Sequence, residues 1–281
     1  MKTVAFALLS VTLLFPSAAP ASLLNDPAGS HRLRAGFELG FIGVLEHTIQ
    51  FGRQGTKFDY VDAGRQDILF PVRRLSAELS LAPRHTFVFL YQPLDIRTSA
   101  TLLEPLVLDT DTFPAGTPMD LRYGFDYYRV SWQYDFWTRP DRELAVGLSL
   151  QVRDASISFA SRDGAMLRVY QDVGPVPIVR VRTRLPLSRT TWLGAEVDGF
   201  YAQGKVVTGS NNVEGGFKGA ILDASARYGM TFNDWLEGFV NARYVGGGAS
   251  GGQEDPDNPL SDGYTDNWLG TFSLTLGFYL N

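Results

Sequence analysis

Cysteine is absent from this chain of 281 residues, so it has neither a disulfide framework nor a cysteine to carry a lipid anchor. Histidine is almost as scarce, with only His31, His47 and His85 to serve as bases or metal ligands. No glycine-rich phosphate loop is present, and a net charge of −5 comes without a basic patch, so nothing points to nucleotides or nucleic acid. Beyond the first twenty-odd residues no run is long and apolar enough for a helix that crosses a bilayer.

That first run reads as an export signal. Lys2 gives the charged start, Val4 to Phe15 the apolar core, Pro16 a break, and Ala19-Pro20-Ala21 the small-residue cleavage site. Cleavage is expected before Ser22, because a proline just after the scissile bond fits poorly. Residues 1–21 are then the signal peptide and 22–281 one exported domain. Aromatic residues at 13% and 29 glycines suit such a domain if it is built of strands, tight turns and membrane interfaces.

The stretch from Tyr127 to Arg153 shows the pattern most openly. Tyr128, Val130, Trp132, Tyr134 and Phe136 alternate with Arg129, Ser131, Gln133 and Asp135. After the turn at 138–141, Leu144, Val146, Leu148, Leu150 and Val152 alternate with Ala145, Gly147, Ser149, Gln151 and Arg153. Period-two alternation makes two strands, each with one apolar and one polar face. Five apolar positions on each strand match the roughly 9–11 residues of a tilted strand that crosses a bilayer. A soluble β-sandwich is the competing architecture.

The remainder supplies eight more strands, near 32–48, 67–81, 86–99, 165–185, 191–201, 220–230, 235–245 and 267–280. Connections near 83, 140, 188 and 233 are tight, whereas 51–66, 100–120, 208–216 and 246–266 are long; the short Asp163-Gly164 turn breaks the rule. Short turns at one end and long loops at the other are what an up-and-down transmembrane barrel produces, and an even strand number returns both termini to one side. Trp137, Trp192, Trp235 and Phe278 lie near the tight turns or the last strand's end, and are expected to form a periplasmic aromatic girdle.

In these features the chain resembles the small bacterial outer-membrane β-barrel proteins over nearly all of its mature length. The resemblance implies an all-β, up-and-down antiparallel barrel of about ten strands, with eight or twelve as alternatives. It also implies outer-membrane localisation, a monomer, and outer-membrane lipid, lipopolysaccharide and the barrel assembly machinery as partners.

The polar faces put charges of both signs inside: Glu38, Arg74, Glu78, Arg129, Asp135, Arg153, Arg180, Arg182, Arg184, Glu196, Asp198, Asp223, Arg227 and Arg243. They would form either a charged channel or a self-paired plug; a barrel this narrow favours the plug. With Leu187 opposite Thr191, Arg182 faces Glu196 and Arg180 faces Asp198. Catalytic signals are thin. Ten strands resemble the omptin proteases, whose sites use an Asp pair and an Asp-His pair; Asp109-Thr110-Asp111 fits the first and nothing fits the second. A Ser-His lipid hydrolase would have only His47 near the outer rim. The acidic run with Asp255 and Asp257 is a candidate for Ca²⁺ or Mg²⁺, weighed against a merely solvated loop. The expectation is therefore a non-enzymatic structural or narrow-pore barrel with acidic outer loops, no catalytic residues and no resident cofactor. A surface hydrolase is the alternative.

Overall fold

The computed structural model describes residues 31–281 apart from 82–83, 138, 140, 209–212 and 253–261, and the side chains of 205–208 and 213–215. The signal segment and the candidate cation ligands Asp255 and Asp257 lie outside the described residues. Fourteen strands follow in order: β1 (His31–Phe51), β2 (Phe58–Asp59), β3 (Leu69–Leu81), β4 (His85–Gln92), β5 (Asp95–Thr101), β6 (Leu106–Leu108) and β7 (Asp111–Phe113). Then come β8 (Pro118–Asp135), β9 (Glu143–Ser161), β10 (Leu167–Pro186), β11 (Thr191–Thr208), β12 (Val213–Asn233), β13 (Leu236–Gly252) and β14 (Tyr264–Leu280).

Ten staves make the wall, in the order β1, β3, β4 continued by β5, then β8 to β14, each antiparallel to its neighbour. The sheet closes where β14 returns to β1, from Ala35 opposite Leu280 to Phe51 opposite Thr265. Closure leaves no free sheet edge around the lower wall, as a lipid environment requires. Outside runs a belt of exposed apolar side chains: Phe37, Leu39, Phe41 and Leu45 on β1; Tyr128, Val130 and Trp132 on β8; Leu148, Leu150 and Val152 on β9; Phe272, Leu274, Leu276 and Phe278 on β14. So much exposed hydrocarbon in water would be untenable; against acyl chains it is the stable surface. Most staves run 17–21 residues, well beyond the roughly 9–11 needed to cross, and the excess rises on the long-loop side.

The long connections are more ordered than their composition implies. The 100–120 segment holds the β6–β7 hairpin, and β8 already starts at Pro118. The strand expected at 86–99 is broken at Pro93 into β4 and β5, with β5 paired to β8 alone. β13 extends to Gly252 and β12 starts at Val213, so two further loops are shorter than expected.

Candidate functional site: a three-layered lumen

At mid-height the lumen is crossed by ion pairs. Arg129 on β8, 1% exposed, contacts Asp198, reaches Asp223 at 3.1 Å and donates to Gln151 Oε1 at 2.9 and 2.7 Å. Arg180 meets Glu196 at 2.6 Å and Asp198 at 3.1 Å; Arg243 meets Asp223 at 2.6 Å. Arg74 on β3 reaches Glu196 on β11 at 3.4 Å, and these two strands stand on opposite sides of the barrel. Arg227 binds Glu38 (3.6 Å) and Glu196 (3.5 Å), and Glu38 also accepts from Asn241 at 2.7 Å. Every cation here is arginine. Its planar fork lets one side chain serve two or three carboxylates, which a lysine ammonium does less well.

The register places Arg182 opposite Glu196 and Arg180 opposite Asp198, as the turn implied. The ion pairs do not follow it rung by rung. Arg180 takes both acids, while Arg182 turns to Glu78 and Glu143, each at 2.8 Å. Glu143 and Arg34 also belong to the ionic set, although alternation does not single them out, because each sits near the end of its strand, where the pattern is weakest.

Below this layer an aromatic floor closes the periplasmic end. Trp192 is 5% exposed and packs with Phe239 and Tyr279 inside the barrel. This corrects its assignment to the girdle. Trp192 shares parity with Gly194, Glu196 and Asp198, so its ring enters the lumen, whereas Trp235 (53% exposed) and Phe278 are on the outside and Trp137 is half-buried at its turn. A side chain at Gly229 would collide with the Trp192 ring, and one at Gly277 with Phe239; glycine lets each ring lie flat on the neighbouring strand. Arg184 lies over Trp192 at 4.1 Å and Arg34 over Tyr279 at 4.5 Å, while both also reach Glu237, joining the floor to the ionic layer.

The outer half is apolar. Phe51, Phe58, Tyr60, Leu102, Leu106, Leu108 and Phe113 fold in from the first two outer loops and pack against wall residues Ile42, Phe70, Ile96, Tyr123 and Phe159. Backbone bonds fasten this plug: Thr56 N–H to Val107 C=O at 2.8 Å, and Asp109 N–H to Phe51 C=O at 2.9 Å. A shift in β1–β14 pairing between Val44 and Glu46 reverses the facing of β1 above it. It carries His47 inside, where its ring stacks on Tyr60 (4.4 Å) and Nδ1 lies 2.7 Å from Gln66 Oε1. Burial pushes the Tyr60 phenol well above its ordinary range, so it stays neutral.

Two further charges expected in the lumen network take other partners. Asp135 Oδ1 accepts from the Trp137 and Leu144 N–H groups and caps the periplasmic turn. Arg153 lies higher, its guanidinium 5.4 Å from the Phe125 ring. The Asp pair sits at the β6–β7 hairpin: Asp109 has a left-handed φ of 55° and Asp111 pairs with Arg168. His85 stacks on Trp132 at the periplasmic end. Among the described residues, no group of three His, Asp or Glu is placed to hold a metal.

Closed wall, apolar belt and filled interior define the class: a bacterial outer-membrane β-barrel of ten staves. Among solved structures, the chain is similar to the outer membrane protease OmpT from Escherichia coli, with TM-score 0.51 and 9% identity over 89% of this chain and 96% of that one. It also aligns with a FadL homologue of Pseudomonas aeruginosa (TM-score 0.39, 8% identity, 88% and 89% covered). Ail of Yersinia pestis aligns at TM-score 0.28 and 11% identity, with 88% and 98% covered. Identities this low speak to fold alone. No protein-family model and no curated protein matches the sequence.

Proposed function

We propose that this protein is a closed, non-enzymatic structural barrel of the outer membrane, a monomer whose own side chains fill its bore. The observation that carries the reading is the pairing of Arg74 on β3 with Glu196 on β11, and of Arg182 on β10 with Glu78 on β3. Ion pairs between opposite staves use up the space in which a hydrated ion would travel. A barrel of about eight to ten strands has little room beyond its side chains, whereas 16–18 strands leave a channel.

The mature protein refolded into a planar bilayer should give rare, small conductance steps or none. Large, steady, ion-selective currents that change with Arg182→Ala would overturn the plug and make the protein a channel. A surface hydrolase is the rival reading. It is disfavoured by the pairing of Asp111 with Arg168 and by the full burial of His47. Peptide and lipid hydrolysis sensitive to Asp109→Ala or His47→Ala would establish it instead.

A further inference from the structure

The periplasmic mouth of the bore holds a cavity of about 380 Å³. Arg32, Arg34, Arg184, Trp192, Thr231 and Glu237 line it, and each sits at the alternate positions that its strand turns to the lumen. Arg189 and Thr190 of the β10–β11 turn and Asp141 of the β8–β9 turn complete the rim. The cavity is thus the water-filled end of the bore, and lipid lies on the other side of the wall. It is blind at its inner end. A deeper void shares Arg34, Arg184 and Trp192 with it, reaches Arg182 and Tyr279, and measures about 20 Å³, room for about one water molecule.

Four arginines meet two carboxylates in this mouth, although the whole chain carries a net charge of −5. Both carboxylates are taken. Arg184 donates to the two oxygens of Glu237 at 2.9 Å each, Arg34 reaches the same carboxylate at 3.4 Å, and Asp141 pairs with Arg142 at 3.5 Å. Arg32 and Arg189 have no ion pair among the described residues. One stands on β1 and the other on the turn after β10, about halfway round the ring of staves, so they face each other across the mouth. Glu237 shows the kind of group this mouth accepts: an oxyanion held by guanidinium groups from two staves. The second pair of arginines has no such group from the chain itself.

We propose that the periplasmic mouth binds a small soluble phosphomonoester, with its phosphate between Arg32 and Arg189. Two uncompensated guanidinium groups match a phosphate dianion in charge, and their planar forks match its oxygens in pairs. The cavity volume suits a polyol or single-sugar ester, whose hydroxyls would face Thr190 and Thr231. Because the inner end is blind, the site holds its ligand and does not pass it on.

Calorimetric titration of the refolded barrel in a maltoside detergent, which carries no phosphate, tests this. Glycerol 3-phosphate should bind one to one, and glycerol should give no saturable heat. Arg32→Ala combined with Arg189→Ala should weaken glycerol 3-phosphate about tenfold or more. Arg139→Ala, in the neighbouring turn but outside the cavity lining, should leave the affinity unchanged. The doubly substituted barrel should keep its heat-dependent mobility in SDS, which separates lost binding from lost folding. No saturable heat, or an equal loss with Arg139→Ala, would overturn the proposal and leave the closed barrel standing. Saturation by phosphatidylglycerol in nanodiscs, with none by the soluble ester, would also overturn it and give the arginines to a lipid head. Vesicles holding the barrel should retain entrapped glycerol 3-phosphate; its escape would overturn the blind mouth and the closed bore together.

Discussion

Arg129 shows how much a single lumen residue carries. It is 1% exposed and meets Asp198, Asp223 and Gln151, so its substitution removes a shared cation from two carboxylates in a closed interior and leaves them to Arg180 and Arg243. Arg129→Met should therefore lower barrel stability by about 3–5 kcal/mol, read by urea unfolding of the refolded protein. A loss under about 1 kcal/mol, typical of an exposed pair, would mean that the layer is hydrated rather than dry. Trp192 permits a different check at this scale. With Trp192 as the only tryptophan, brominated acyl chains should barely quench it. Trp132 alone, 40% exposed on the belt, should be quenched strongly. Equal quenching would return Trp192 to the girdle.

Among the elements, the two outer loops behave as a plug and not as surface fringe. Phe58 and Tyr60 from one, Leu106, Leu108 and Phe113 from the other, bury against a wall that extends above the membrane. Burying such side chains is worth about 1.5–3 kcal/mol each, enough to order loops whose composition is polar. Replacing 103–115 with a short Gly-Ser link should leave a folded barrel but speed proteolysis of the 52–68 segment. Conductance should stay low, because the ionic layer still blocks the bore. Large currents after the deletion would show that the apolar plug, not the ion pairs, is the seal.

At the scale of the whole molecule, ten staves closed by β1 against β14 should make a barrel that resists SDS until heated and then changes mobility. The apolar belt should also make the folded mature chain insoluble without detergent or lipid. A folded, soluble monomer in plain buffer would remove the membrane reading altogether.

Alternation and turn chemistry are local, and the sequence by itself determined what depends on them: the strands, their facing, the tight turns and the Arg182–Glu196 register. Twelve of the fourteen lumen charges singled out by parity are ion-paired inside the barrel. Parity places Trp192 inside just as clearly, and its nearness to a turn, which points to the girdle, does not decide its facing. Other features needed the tertiary structure. Closure and strand stagger set Arg74 across from Glu196 and Arg182 across from Glu78, partners 122 and 104 residues apart that no local pattern connects. A pairing shift of one residue at Leu45 turned His47 from the rim to the interior. The apolar loop residues found their role only because the wall rises past the membrane and offers them a surface to bury against.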